Sequence, residues 1–317
     1  MLAFWRVFAV NRGALEMMNK RWLWAIATTV LLSSCAKGLQ EYQQLTLEVT
    51  VPKVEEVKAA KGSINTLDYL AETEAVLARR LRGFGVADGE VTSQRNPERI
   101  IVRLPVDVDV AAAETVLTRR GQLYLRNEKP ETEVDLSAAI ENLQRLLVKQ
   151  NTLLQTEKTA EAEALTAEIE ETRSKISDFF EPSELTGDRL QSAKAVQQEG
   201  DVWAVLIQFD EQGSEMFAQQ TKEMAGTGRV IGLFLDNVLL SAPIVEVDFA
   251  KTGITGGEAL IAGNFTAAGA KDLEIQLNSG ALPVYLKTVA IASSEEIEQE
   301  QDNASEGTNK NVDAEKM

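Results

Sequence analysis

Hydrophobic and polar side chains alternate over 45–51, and this period of two predicts a half-buried strand. Apolar residues then recur at helical spacing over 67–84. The apolar run 100–104 predicts a second strand, 111–117 a short helix, and 123–126 a third strand. The resulting order, β-α-β-α-β with short links, is typical of a compact α/β or α+β sandwich.

The segment from Glu131 to Glu181 differs in composition from its surroundings. It is rich in Ala, Glu, Gln, Leu and Lys, and it contains no Gly. Two apolar stripes at helical spacing predict either one long helix or a helical hairpin, a coiled-coil-like insertion over 128–181. Because the segment lacks typical turn residues, its sequence does not distinguish one long helix from a hairpin. The segment serves either as an exposed amphipathic helix on a globular surface or as an arm that binds a partner.

The remainder of the chain is predicted to be β-rich. The pattern indicates these elements in order: strand 203–209, strand 230–235, strand 238–240, helix 267–277 and strand 284–291. Strand 230–235 is apolar throughout, which suits a strand covered on both faces, and Asp236-Asn237 after it suits a turn. Residues 293–317 are polar and Glu-rich, so we expect a disordered acidic tail.

The amino terminus carries the pattern of an export signal. The apolar run 22–32 is shorter than the roughly 20 residues that a membrane-spanning helix needs. It follows the basic pair Lys20 and Arg21 and precedes small residues, which predicts a signal peptide or a membrane anchor over 1–34.

Cys35 stands directly after this signal, and 32–35 resembles a bacterial lipobox. The resemblance implies cleavage before Cys35 and attachment of lipid to its thiol, and more than one acyl chain would give a stable membrane anchor. An ordinary signal with an incidental cysteine is the alternative. Translation starts at Met1, Met17 or Met18.

Composition excludes several classes of chemistry. The chain of 317 residues has 32 Lys+Arg against 49 Asp+Glu, a net charge of −17, which argues against binding to nucleic-acid backbones. It has no His and one Cys, so His-ligated zinc, Ser-His-Asp triads and multi-cysteine metal sites are ruled out. We therefore expect no cofactor and no catalytic residues.

Some local motifs suggest chemistry but have simpler structural interpretations. The glycines over 226–232 precede a strand, whereas a dinucleotide site needs a strand followed by a helix, so a turn is the better interpretation. The acidic pair Asp107 and Asp109 suits a helix start better than acid–base catalysis. The cluster Arg79, Arg80 and Arg82 lies late in a helix, where cations interact favourably with the helix dipole.

Several ordered segments resemble the SecD family of bacterial protein-export subunits, and cyanobacterial SecD in particular. The segments that carry the resemblance are Arg82–Val86, Arg99–Pro105, Ala225–Asn237, Leu240–Pro243, Gly253–Gly257, Gly263–Thr266 and Leu277–Pro283. The similarity extends over roughly 38–292. One departure lies at 38–44, where the family usually has Gly-Leu-Asp-Leu-x-Gly-Gly and this chain lacks the Asp and the later glycines.

The resemblance implies the first periplasmic domain of SecD, an α+β fold with a ferredoxin-like base and an inserted β-rich head. By resemblance, 35–127 and 265–292 form the two halves of the base, and 182–264 forms the head. The membrane helices that couple SecD to a proton gradient have no counterpart after 291. The chain is therefore expected to be a truncated or orphan copy of that domain.

Function follows from the same resemblance as an expectation. The chain would assist Sec-dependent export by binding unfolded secretory preproteins, with SecYEG and SecDF as partners. It would lie on the periplasmic or lumenal side of a plasma or thylakoid membrane, held by its amino-terminal anchor. Contact or hinge positions would be Ser241, Ala242, Pro243, Gly256 and Gly257. The alternative is an accessory or scaffold lipoprotein that binds a partner through the helical insertion.

Overall fold

The computed structural model describes residues 41–52, 69–182, 184–297 and 299. The described strands are β1 (Tyr42–Thr50), β2 (Glu90–Arg95), β3 (Glu98–Pro105), β4 (Leu123–Asn127), β5 (Leu190–Gln197), β6 (Trp203–Phe209), β7 (Ile231–Leu235), β8 (Val238–Ser241), β9 (Glu258–Phe265) and β10 (Tyr285–Ser293). The helices are α1 (Tyr69–Gly83), α2 (Val110–Thr118), α3 (Glu133–Gln155), α4 (Thr159–Ala164), α5 (Thr166–Asp178), α6 (Glu211–Met224) and α7 (Ala267–Ser279).

The expected signal segment, Cys35 and 301–317 of the expected tail lie outside the described residues. The start of that tail differs from the prediction, since Ser293 ends β10 and 294–297 is helical. Among the residues described, none of the helices combines the length and the apolar character needed to cross a membrane.

The first hydrophobic core lies under a four-stranded antiparallel sheet. Its strand order is β10-β1-β3-β2. The alternating residues of β1 form the predicted half-buried strand, because Leu45, Leu47 and Val49 are buried against α1 and α2. Along the chain these elements follow the order β1-α1-β2-β3-α2, and β10 completes the sheet far downstream.

The second core lies between two three-stranded sheets, β4-β7-β8 and β5-β6-β9. Strand β4, which the sequence analysis assigned to the first half of the base, pairs with β7 instead. Leu123 and Leu125 lie opposite Leu235 and Leu233, so their burial depends on residues more than a hundred positions away. Helix α7 also contributes side chains to the second core, although the analysis placed it in the second half of the base. The hydrophobic pattern of a segment predicts that it forms a strand, but it does not predict which other strand it pairs with.

Residues 133–178 form a hairpin in which α3 packs antiparallel to α5. Leu136 meets Ile176 near one end, and Leu146 meets Leu165 and Ile169 near the other. Its turn includes Glu157, which has a positive φ of 58°. The sequence pattern allows either one long helix or a hairpin, and the structure has the hairpin.

The hairpin covers the outer face of the β4-β7-β8 sheet. Phe180, just after α5, packs edge-on against Phe234 of β7, with ring centroids 4.9 Å apart. A Cβ on Gly232 would lie 2.6 Å from the Phe180 ring, so glycine makes room for this packing. Every residue of β7 is buried, which confirms the prediction of a strand covered on both faces.

A buried arginine, Arg80, stabilises the two segments that connect the first core to the second. The chain leaves the first core through 119–122 and returns through 280–282. Arg80 of α1 is fully buried and donates hydrogen bonds to the carbonyl oxygens of Val116, Leu117, Arg119, Arg120 and Gly280. Burial lowers the pKa of Arg80 to about 10, with Asp236 acting in the opposite direction, so the side chain stays charged at neutral pH.

Candidate functional site

A cleft opens into the second core between the segment that follows β8 and the start of β9. We name it the edge cleft. One wall is 243–245 and the other is 258–260, and core side chains including Phe217, Ile231 and Leu233 line the interior. Its volume is about 220 Å³. The lining is predominantly apolar, as in most sites that bind organic ligands.

The first wall follows the β7–β8 hairpin and is held in place by backbone hydrogen bonds. Asp236 and Asn237 both have positive φ, 50° and 69°, as a tight two-residue hairpin requires, which confirms the predicted turn. Beyond the hairpin, the Ile231 N–H donates to the Pro243 carbonyl at 2.9 Å, and the Gly226 N–H donates to the Val245 carbonyl at 3.0 Å. The wall is therefore fixed to the backbone around β7.

The second wall begins in a loop that packs directly on α6. A Cβ on Gly253 would lie 1.7 Å from the Ala218 carbonyl oxygen, and one on Gly257 would lie 1.9 Å from Ser214 Oγ. Ser214 and Ala218 are one helical turn apart and face the same side of α6. The loop can approach the helix this closely because both contacting residues are glycines.

Exposed apolar side chains line the edge cleft at Ile244 and Leu260 and follow its first wall along the chain at Val247 and Phe249. Ile244, Val247, Phe249 and Leu260 each expose between 37% and 66% of their surface. Single exposed apolar residues are common, but a group of them beside an apolar opening indicates an interaction surface.

The two outer strands of the β5-β6-β9 sheet differ in whether side chains bind the backbone groups along their outer edges. At β5, Asn278 and Glu274 of α7 accept hydrogen bonds from the Ala193 and Ala195 amides, both at 2.8 Å. In the part of the chain that the structure describes, β9 pairs with β6 alone. Side chains thus occupy the β5 edge, whereas the β9 edge beside the cleft is available to another strand.

The cap on β5 gives a pH-dependent prediction. Burial raises the pKa of Glu274, but hydrogen bonds from Lys271 and the Ala195 amide outweigh it, so the pKa lies below its ordinary value of 4.5. A lowered carboxyl pKa stabilises the fold above the ordinary pKa, and this contribution is lost as pH falls through the folded-state pKa. Glu274→Gln should therefore cost more stability at pH 7 than at a pH below the folded-state pKa of Glu274, where the carboxyl is neutral in both states. Urea unfolding at both pH values measures this, and an equal cost at both would contradict it.

The structure places the five contact or hinge candidates at different depths. Ser241 ends β8 and is half-buried, as is Ala242, whereas Pro243 is exposed and lines the edge cleft. Gly256 is exposed with no atom near its missing Cβ, and Gly257 is buried against α6. Pro243 thus lies at the cleft, and the glycines immediately precede its opposite wall.

The sequence pattern did not predict the exposed apolar side chains Ile244, Val247, Phe249 and Leu260. A signal was present, because 245–249 alternates apolar and acidic residues in a segment for which no element was predicted. Whether such residues point inward or outward depends on the packing of the loop, and here Val245 is buried while Val247 is exposed.

The other chemical candidates have structural roles. Asp109 caps α2 by accepting from the Ala111 and Ala112 amides, which confirms its predicted role at a helix start. Asp210 caps α6 in the same way through the Gly213 amide. Gly226 and Gly228 have positive φ values in the turn before β7. Over the described ranges, His, Cys, Asp and Glu form no group suited to a metal ion.

Comparison with known proteins relates this surface to a family. Residues 166–284, which include both walls of the edge cleft, match the family model described as "SecDF, P1 head subdomain". The chain is 38% identical over 233 residues to protein translocase subunit SecD of Synechocystis sp., covering 70% of this chain and 48% of that relative. It is 32% identical over 282 residues to SecD of Prochlorococcus marinus, covering 78% of this chain and 54% of that relative.

Solved structures agree with this relationship. One match is to a structure described as "Structure and function of a membrane component SecDF that enhances protein export", with 26% identity and a TM-score of 0.54. The match covers 78% of this chain and 99% of that one. A SecDF crystal structure in a super-membrane-facing form gives the same TM-score at 23% identity, which shows the fold alone.

The sequence and the fold thus identify the same family. The chain is a relative of SecD, and its residues 166–284 match the SecDF P1 head subdomain. The α+β class is confirmed by the match to the solved SecDF domain. The chain spans about half the length of the curated relatives it matches.

Proposed function

We propose that this protein assists Sec-dependent protein export by binding segments of preproteins while they cross the membrane. The observation that carries the proposal is that both walls of the edge cleft lie in the segment that matches the SecDF head. An unfolded chain offers apolar side chains and unpaired backbone groups. The edge cleft offers the complement of both, namely exposed apolar residues and the free edge of β9.

The setting of this activity is part of the proposal. The protein would work on the periplasmic or lumenal side of a plasma or thylakoid membrane, held by its amino terminus through 1–34 or through lipid on Cys35. SecYEG and SecDF would be its partners. The first core would be a ferredoxin-like base, which is supported by the β-α-β-β-α-β order of its elements and the strand order β10-β1-β3-β2.

Binding of an unfolded secretory precursor to the full chain tests the proposal. The double variant Ile244→Ser/Leu260→Ser removes two exposed apolar side chains at the cleft. Each is worth roughly 1 kcal/mol or more when half-buried by a ligand, so the affinity should fall about tenfold to a hundredfold. Fluorescence anisotropy of a labelled, reduced and unfolded precursor measures the dissociation constant.

A control uses exposed apolar residues in the second half of α3, because the start of that helix lies beside Ile244. Val148 and Leu154 are exposed there, and the double variant Val148→Ser/Leu154→Ser should bind the precursor like the wild type. If the α3 variant loses binding and the cleft variant keeps it, the alternative function applies, with the hairpin as the partner-binding arm. If the wild type binds no precursor, the proposal is wrong.

A further inference from the structure

We propose that the edge cleft is a side-chain pocket that holds one large apolar residue, aromatic or leucine-sized, of an extended peptide with Lys or Arg beside it. This inference rests on the proposed function, since it specifies what part of a preprotein the cleft recognises. Three independent features of the cleft support it: its volume, its open strand edge and the charge of its rim.

The volume suits a single large side chain. An apolar cavity of about 150 Å³ lined by Leu, Ile and Phe is enough to bind benzene. The edge cleft has about 220 Å³ and is lined by residues of the same kind, including Phe217, Ile231 and Leu233. A phenylalanine or leucine side chain fits, whereas a serine would leave most of the space empty.

The one hydroxyl in the lining does not change this preference. Thr221 Oγ1 donates to the Phe217 carbonyl at 2.7 Å and accepts from the Ile254 N–H at 2.8 Å. Its hydrogen-bonding capacity is therefore largely used within the protein. A polar ligand group would lose its water without gaining a partner there, so apolar side chains are favoured.

The open edge of β9 accounts for the extended conformation. A peptide that lies along 258–260 can pair with the backbone of the edge strand, which is a common mode of peptide recognition. In an extended peptide, neighbouring side chains point to opposite sides. One residue enters the cleft while the residues before and after it face the rim and the solvent.

Acidic residues outnumber basic ones along the segment that runs from the first wall of the cleft to the second. Glu258 lines the cleft, and Glu246 and Asp248 follow the first wall in the sequence. All three are exposed, and Lys251 is the only cation between Ser241 and Leu260 in the sequence. The whole chain has a net charge of −17. Cationic residues next to the anchored side chain are therefore attracted, and this part of the binding should weaken as salt screens the charges.

Short labelled peptides test the inference on the full chain. The probe is a nonapeptide with a central Phe and a Lys on each side, compared with the same peptide carrying Ser at the centre and with one carrying Glu in place of Lys. On the wild type, Phe→Ser should weaken binding about tenfold or more. Lys→Glu should weaken binding severalfold at low salt, and the difference should shrink at 0.5 M salt, where the screening length is about 4–5 Å.

A filled pocket provides the matched variant. Ala259 lines the cleft, so Ala259→Leu places a side chain inside it, whereas Ala262 is exposed on the same strand and Ala262→Leu leaves the cleft open. Ala259→Leu should bind the Phe peptide about tenfold more weakly and should no longer distinguish Phe from Ser. Ala262→Leu should behave like the wild type. Circular dichroism and the thermal midpoint establish that each variant is folded.

The outcomes separate this inference from the proposed function. If the wild type binds an unfolded precursor but binds the Phe and Ser peptides equally well, the pocket is wrong and the export role stands. If it binds neither precursor nor peptides, the proposed function fails and the pocket fails with it. The comparison of peptides on the wild type decides the matter even if Ala259→Leu does not fold.

Discussion

Replacing Arg80 with methionine is expected to lower the free energy of unfolding by about 3–5 kcal/mol, a large part of the total for a domain of this kind. The guanidinium donates to five carbonyl oxygens, two at the end of α2 and three in the passages between the two cores. Methionine fills similar space but donates no hydrogen bond. Each buried carbonyl that loses its donor costs about 1–3 kcal/mol, reduced where another partner remains.

Lysine is expected to restore only part of this stability. Arg80→Lys keeps the charge but has three donors on a single nitrogen, which cannot reach carbonyls spread around a planar guanidinium. Arg82, in the last turn of the same helix, is exposed, so Arg82→Met should change stability by no more than about 0.5 kcal/mol. Urea unfolding of the full chain gives the values. Equal stabilities of the Arg80→Met and Arg82→Met variants would contradict the assigned role.

Gly253→Ala is expected to cost about 2–5 kcal/mol, because two penalties add. Gly253 has a φ of +69°, a conformation that costs a residue with a Cβ about 1–2 kcal/mol. The new Cβ would also lie 1.7 Å from the Ala218 carbonyl oxygen, so the loop must move away from α6, and such overpacking costs about 1–3 kcal/mol. The loop leads into β9, so the edge cleft should widen as well.

Gly256 provides the matched control. Its φ is also positive, +93°, but nothing lies within 4 Å of the position of a Cβ. Gly256→Ala should therefore show the backbone penalty alone, about 1–2 kcal/mol. Thermal unfolding of both variants measures the difference, which should be several degrees in the midpoint. If Gly256→Ala destabilised as much as Gly253→Ala, close packing on α6 would not be the reason for glycine at 253.

The hydrophobic pattern of the sequence predicted those strands whose own residues are strongly apolar or strictly alternating. The alternation over 45–51 and the continuous apolar run of β7 correspond to strands in the predicted places. Strand β2, the sequence Glu-Val-Thr-Ser-Gln-Arg, was not predicted, because an edge strand with mostly polar residues has little hydrophobic pattern. Helix α6 was missed as well, although Asp210 at its start is a typical cap.

The parts that could not be predicted depend on residues far apart in the sequence. The cluster Arg79, Arg80 and Arg82 suggested a favourable interaction with the dipole of its own helix. Arg80 instead donates to carbonyls 36–40 and 200 positions away. The edge cleft has the same origin, since its two walls meet only after β8 and β9 have paired in different sheets. Composition and spacing do not contain that information.

Cross-linking during export tests the central claim most directly. A photoreactive residue is placed at Ile244 in the full chain, in cells that contain a secretory precursor arrested during translocation, and a second sample carries it at Val148, exposed in the second half of α3. We predict a cross-link from position 244 to the arrested precursor and none from position 148. Absence of the product at 244, or equal products at both positions, would contradict the assignment of the edge cleft as the surface that holds exported chains.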